Sequence, residues 1–345
     1  FRLGLTTTPE HPYLILRNDR YKKKSSYYGE QPKRDYFRRK KPHWVPASGV
    51  CVGDILMYPR LKYVKDRKIL ELDNVVNPIL IQRKENKIAP LGNKIKWIPK
   101  DVKINKELCR LIGYYLSEGY LAGGSNPDGV SFCFKNDEKV YIEDLRYLME
   151  RIFALQADQI RRHKDYEGIE ITYFSKILAN VFKHLFYSSS EIKKASAKAI
   201  PNWMLKLPPH KQVEIFRGWW RGDSGYTSSR LLMNQMKTIL LRLGIIPSIR
   251  KESKEKHNLR GKHFMGGRVV FAQHDNYSML NLSFFEDKFN LLSEPEFRRF
   301  NCKTIRKNGW IDKNYIYLPV REIKETFYKG EVYNLEVEVD NSYVS

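Results

Sequence analysis

Two stretches about a hundred positions apart share one design, and that design limits what the chain can fold into more than any other feature. Leu111-Ile-Gly-Tyr-Tyr-Leu-Ser-Glu-Gly119 and Phe216-Arg-Gly-Trp-Trp-Arg-Gly-Asp-Ser224 are apolar segments with small residues four apart, each closing on a single carboxylate. In the first, Leu108, Leu111, Ile112, Tyr115 and Leu116 recur at the spacing of a helix that buries one face. Gly113 and Ser117 lie one turn apart on that helix, and Gly218 and Gly222 do the same in the second, so each offers a nearly bare strip of backbone to a neighbour. Two such helices can touch closely, and the contact would bring Glu118 and Asp223 together at one end of a helix pair.

Carboxylates in a last helical turn face the negative end of the helix dipole, at a cost of roughly 0.3–1 kcal/mol each, and here they would also repel one another. A sequence that accepts this twice has a use for it, and a shared divalent cation is the natural one. Mg²⁺ prefers one or two carboxylates together with water and substrate phosphate, which two acids from paired helices provide; Mn²⁺ is the alternative. Taken singly, each stretch reads as an ordinary amphipathic helix with a solvated acid at its end. The repetition of small residues, apolar face and terminal acid carries the stronger reading.

At these residues the chain resembles the LAGLIDADG homing endonucleases, specifically the two-motif kind found inside inteins. Laid on the nine-letter motif, Glu118 and Asp223 take the position of the metal-binding acid. The first copy keeps the final glycine as Gly119, whereas the second has Ser224 there with Gly225 following. Ala197-Lys-Ala-Ile-Pro201 resembles the segment that supplies a catalytic lysine in this family, which makes Lys198 the match. The resemblance implies a monomer that cuts double-stranded DNA at a long asymmetric site, one strand at each acid. Lys198 would then stabilise the charged pentavalent phosphate or position the attacking water.

Charge points the same way on its own. Lys and Arg total 62 against 39 acids, a formal +23, which is the footprint of a polyanion binder but does not separate DNA from RNA or an anionic membrane. With no apolar run of transmembrane length and no secretory leader, a membrane role is not expected and an intracellular, cytoplasmic setting is. Four cysteines at 51, 109, 133 and 302 lack zinc or disulfide spacing, which fits a reducing compartment.

From Asp101 the pattern is helical and duplicated. The first acid is followed by a turn at 123–129, a strand near 130–134, a helix over roughly 137–154, strands near 157–174 and a helix over 175–186. After Asp223 come a short strand, a helix near 229–243, a strand at 245–250, a hairpin-like stretch at 262–283 and a helix near 285–292. The sheets are where base reading is expected, since extended ribbons fit the major groove. The candidate DNA-contacting residues are Arg161, Arg162 and Lys164 in one ribbon and Arg250, Lys251 and Lys254 in the other.

The two ends of the chain are β-rich. Leu3-Gly-Leu-Thr and Tyr13-Leu-Ile-Leu read as short strands, Val50 to Met57 as strand, turn, strand, and Tyr315-Ile-Tyr-Leu, Val320-Arg-Glu-Ile and Val332 to Val339 as strands again. Residues 20–41, with ten Lys/Arg and two acids, read as a solvated loop or an accessory DNA contact. These ends resemble the two halves of an intein splicing (Hint) domain, with Thr8 and His11 matching its TxxH motif and Val332 to Val344 its C-terminal block. In that family the threonine and histidine polarise the scissile peptide. Asn334 stands where many members have Asp, and Asn341 where a histidine is often found. The chain opens at Phe1 without a nucleophile and no His-Asn pair closes it, so the expectation is an intein cut at both ends that cannot splice as it stands.

The expected fold is therefore α+β: a pseudo-symmetric LAGLIDADG endonuclease, a duplicated αββαββα saddle, inserted in an all-β Hint domain. The expected domains are 1–100 and 313–345 for the split Hint domain and 101–312 for the endonuclease, with repeats at 101–200 and 201–312. A DNA-binding or splicing-only intein with an inert endonuclease and an RNA maturase of the same fold are the alternatives.

Overall fold

The computed structural model describes residues 7–19, 34–76, 81–92, 95–123, 128–163, 167–188, 194–252, 263–265, 268–270, 275–298, 304–305 and 309–332. It is a mixed α+β protein with several small sheets, and it divides into two compact units. The larger comprises 63–282 and 288–302, and the smaller 3–62, 283–287 and 303–345. Residues 63–100, expected with the N-terminal domain, pack with the larger unit. The cause is long-range bonding: Lys65 donates its amide to the Lys206 carbonyl at 2.8 Å, the Lys211 ammonium reaches Asp66 at 2.6 Å, and Ile69–Glu71 pairs with Asp101–Lys103.

In the larger unit, helix α1 (Lys106–Glu118) starts where the Asn105 side chain accepts the Leu108 amide at 2.9 Å, an N-cap that satisfies one orphan donor. It runs without a break into strand β1 (Gly119–Ala122), followed by β2 (Gly129–Lys135) and helix α2 (Lys139–Phe153), which ends on Ala154 in the left-handed region. Strands β3 (Gln159–His163) and β4 (Gly168–Phe174) precede helix α3 (Lys176–Leu185), capped by Ser175. The four strands form one antiparallel sheet in the order β3-β4-β2-β1. Side chains alternate across it, so Val130, Phe132, Phe134, Ile171 and Tyr173 are buried on one face while Ser131, Cys133, Glu170 and Thr172 share the other.

The series then recurs. Helix α4 (Pro209–Asp223) leads into the short strand β5 (Tyr226–Thr227) and helix α5 (Arg230–Arg242), whose N-cap Ser229 accepts the Leu232 amide at 3.1 Å. Strands β6 (Ile245–Glu252) and β7 (Asn276–Phe284) complete a sheet in the order β5-β7-β6, and His263–Met265 pairs with Arg268–Val270 in a separate hairpin. The helix expected near 285–292 does not form. Asn290 takes a left-handed conformation at φ 56° and its carbonyl is bonded by the Ser293 hydroxyl, which leaves a single 3₁₀ turn at Leu291–Ser293 and a short helix at Pro295–Arg298.

In the smaller unit the two ends of the chain share a five-stranded sheet, in the order Trp310–Ile311, Tyr315–Pro319, Ile55–Pro59, Pro12–Leu16, His43–Pro46. Leu16, Phe37, Ile55, Met57 and Tyr317 form its core, with Phe37 supplied by a short helix at Arg34–Phe37 inside the basic segment. The turn and second strand expected in Val50 to Met57 form, but the first strand does not, because the turn takes up 51–54: the buried Asp54 carboxylate accepts the Cys51 amide at 2.8 Å and pairs with Arg17 at 2.6 Å, and Gly53 takes φ 96°. Val320 bonds back to residues 53 and 54, but 321–332 forms no ladder, so the strand expected from Val320 is absent. The strand expected at Leu3 to Thr6 and the C-terminal block after Val332 lie outside the described residues.

Candidate active site

The site begins with the packing of α1 on α4. A Cβ added at Gly113 would come within 2.7 Å of the Gly218 Cα, and one added at Gly218 would come within 2.8 Å of the Tyr114 nitrogen, so here backbone lies against backbone. One turn further along, a Cβ at Gly222 would meet the Ser117 Cβ at 2.6 Å and the Glu118 Oε1 at 2.7 Å. Glu118 therefore lies against the residue that precedes Asp223, and the two acids close the helix pair side by side. The two helix ends differ in detail: Gly119 continues in extended conformation into β1, whereas Ser224 and Gly225 take positive φ of 49° and 87° and turn the chain sharply.

Both side chains are half-buried. Burial first, and then the charge of Asp223, hold the Glu118 carboxyl well above the usual carboxylate range, with Glu138 adding to the effect and Lys198 and Lys135 opposing it. Burial also raises Asp223, against the pull of Lys198. Lys198 reaches the same place from the segment after α3, where Ser188 and Ala199 bond across the chain and the Ser229 hydroxyl holds its carbonyl at 2.7 Å. Its buried ammonium donates to the carbonyls of Tyr115, Leu116 and Ser117 at 3.0–3.1 Å, and burial lowers it to about 8. All three donors thus cap the C-terminus of α1, and only the charge reaches the acids. The structure brings Glu118, Asp223 and Lys198 together, with the Lys198 ammonium held on the carbonyls at the end of α1.

Among the described residues no cluster of three or more His, Cys, Asp or Glu is arranged to hold a metal. Two adjacent half-buried carboxylates suit a hard cation that keeps waters and a phosphate oxygen as its other ligands, and they do not suit the closed tetrahedral set that zinc takes. Cys51, Cys109 and Cys133 are free thiols, with Cys109 buried and pushed up to about 12.

The polar face of the β1–β4 sheet adjoins the acids, because Tyr120 on that face follows Glu118 by two residues and Cys133 is raised by burial and then by Glu118 and Glu170. Of the DNA-contacting candidates, Arg161 stands opposite Glu170 on this face, whereas Arg162 stands opposite Ile169 on the other face, where Ile160 packs near Leu155 and Tyr173. Period-two alternation also separates Arg250 from Lys251, and Lys251 is ion-paired with Asp275 at 2.8 Å. Lys164 and Lys254 lie outside the described residues. Glu170 and Tyr120 were not among the sequence candidates. The signal for Glu170 is its place in Ile169-Glu-Ile-Thr172, where alternation turns it away from the core.

Thr8 and His11 belong to the smaller unit. The Thr8 carbonyl accepts the His11 amide at 3.2 Å, and the imidazole packs edge-on to Tyr13. Asn334 and Asn341 lie outside the described residues. Among the described residues no helix is long and apolar enough to cross a membrane.

No family model matches the chain. An uncharacterized protein of Methanocaldococcus jannaschii is 36% identical over 98% of this chain and 41% of its own length. The ATP-dependent DNA helicase Hel308 of Thermococcus kodakarensis is 25% identical over 97% of this chain and 30% of its own length. An iron-sulfur cluster assembly SufBD family protein of Mycobacterium bovis is 24% identical over 70% of this chain and 26% of its own. The chain spans less than half of each of these relatives. Among solved structures, a variant of the homing endonuclease I-DmoI aligns over 51% of this chain and 89% of its own at 12% identity, with a TM-score of 0.33.

Proposed function

We propose that the chain is a site-specific DNA endonuclease that hydrolyses phosphodiesters of both strands, carried within a protein-splicing element. One observation carries the reading: two half-buried carboxylates from glycine-packed helices stand together beside a buried lysine, at the edge of a polar sheet face on a chain of formal charge +23. Glu118 and Asp223 would hold Mg²⁺ or Mn²⁺, which when bound polarises phosphate and lowers the pKa of water. The residues supply the rest. The acids fix where the two phosphates lie relative to each other, Lys198 stiffens the helix end and adds positive charge where the phosphorane gains negative charge, and Arg161 meets backbone or base on the adjoining face. Because one chain carries both acids, the reading is a monomer on an asymmetric duplex.

The splicing frame draws support from the relatives. A segment of this kind matches within a helicase and an iron-sulfur assembly protein, named for unrelated tasks, and fills only 30% and 26% of their lengths. Recurrence in unrelated hosts is what an inserted element produces, and the β-rich ends meeting in one sheet suit a domain split by an insertion.

The endonuclease is tested with a plasmid library carrying random inserts, incubated with Mg²⁺ and sequenced at new ends. Glu118→Gln and Asp223→Asn are expected to retain duplex binding and lose cleavage, since binding rests on many phosphate contacts and the cation on these two acids. Wild-type cleavage by either variant would show that the wrong carboxylates have been assigned. For the frame, the chain with its natural flanking segments is placed between two reporter domains. Ligated reporters in the mass spectrum are expected, and intact fusion alone would remove the splicing reading.

A further inference from the structure

The four strands β1–β4 contain a single carboxylate, Glu170. It stands in the middle of the polar face, paired across β3 with Arg161 and across β2 with Cys133. Its Oε2 lies 3.1 Å from the His163 Nε2 and its Oε1 accepts from the Thr172 hydroxyl at 3.5 Å. The Tyr120 hydroxyl also hydrogen-bonds Glu170. The carboxylate is therefore held from several sides in a fixed orientation, on the same face as the acid pair.

A carboxylate is out of place on a surface that meets phosphate, since the two repel. On a base edge it has a partner. In the major groove, hydrogen-bond donors are offered by the exocyclic amines of cytosine and adenine, and adenine sets the N7 acceptor beside its amine, which a carboxylate opposes. We infer that Glu170 is a specificity-determining residue that accepts a hydrogen bond from the N4 amine of a cytosine in the major groove. The inference rests on the proposal that this face meets duplex DNA. Neighbouring strands lie about 4.8 Å apart, which places Glu170 roughly 10 Å from β1, the strand that Glu118 leads into. At about 3.4 Å per base pair, the cytosine lies within about four base pairs of a cleaved phosphate.

The test selects bound sequences from a randomised duplex library without divalent metal, using the full chain as wild type, Glu170→Gln and Glu170→Ala. Circular dichroism melting of each variant checks that it is folded. The wild type is expected to prefer cytosine at one position by about tenfold. Glu170→Gln moves that position towards adenine, whose N6 and N7 an amide bonds together, and Glu170→Ala flattens it, with the remaining positions and the salt dependence unchanged. An unshifted profile, or an equal change at every position, overturns the inference and leaves Glu170 as a counter-charge for Arg161. A wild-type profile with no cytosine preference within about four base pairs of the mapped cut also overturns it, whatever the variants do. Absence of duplex binding by the wild type at low salt removes the endonuclease reading as well.

Discussion

The flank and the end of one helix pair treat carboxylates in opposite ways. Along the flank, Arg110 grips Asp144 through two bonds of 2.7 and 2.8 Å and also reaches Glu214, Arg217 pairs with Glu214 and with Glu294 at 2.6 Å, and Arg221 pairs with Glu296 at 2.7 Å. The Tyr114 hydroxyl donates to Asp144 at 2.9 Å. At the end, Glu118 and Asp223 form no ion pair among the described residues, and Lys198 beside them is bonded to carbonyls. The same helices thus neutralise four acids with arginine and leave two facing each other. Where arginines were available within the same framework, a pair without its own ion pair is the arrangement that the proposed cation site requires.

The sharpest way to break this contrast is to remove one end carboxylate. Glu118→Gln should reduce Mg²⁺-dependent cleavage by roughly a thousandfold or more, the several kcal/mol that a bound cation contributes, while the melting temperature of the metal-free protein holds or rises. Cleavage and calorimetry on one preparation read both. Removing a flank cation should do the reverse. Arg110→Ala removes the two-bond partner of Asp144, leaving it the Tyr114 hydroxyl, and one of the two arginines on Glu214; it should cost about 1.5–3 kcal/mol in urea unfolding, whereas a loss under 1 kcal/mol would make the flank an ordinary surface network. Between the two, Gly218→Ala forces a methyl against the backbone of Tyr114 and Gly113 and should cost about 1–3 kcal/mol, with cleavage lost in step as the acids separate.

The smallest effect is in the pH dependence of stability without metal. The raised carboxyls of Glu118 and Asp223 contribute stability that is complete below their unfolded values near pH 4 and is lost as pH climbs towards the folded ones of about 8 and about 6. The lowered Lys198 has the opposite sign and restores stability from about pH 8 upward. A shallow minimum near pH 8 should therefore appear in chemical denaturation, and Mg²⁺ should fill it by binding only the folded, charged pair. A flat profile in the metal-free wild type would show that the acids do not interact.

What could be read from the chain alone was the part with local periodicity. The helical stripe and the glycine spacing reveal α1 and α4, and the paired acids follow from them. The flank network was not legible, because Arg110, Asp144 and Glu214 are far apart in sequence and each looks like a solvated charge. The boundary at 62 depends on bonds from Lys65 and Asp66 to residues near 206 and 211, which no local pattern signals. Arg161 and Arg162 are sequence neighbours that strand alternation separates, and only the register with β4 shows which one shares the face of Glu170. The missing helix after β7 turns on a single residue, Asn290, whose left-handed conformation no apolar spacing discloses.

The glycine contact between α1 and α4 has a consequence for how such a molecule can change over time. A distance set by side chains can drift by one methylene at a time, but Gly113 and Gly218 have nothing to shorten, and the smallest possible addition already collides with main chain. The separation of the two acids is therefore a ruler without finer divisions. Under the proposed function, lineages of such a protein would be free to rewrite the polar face of the sheet and so acquire new addresses, while the span between their two cuts would stay as it was.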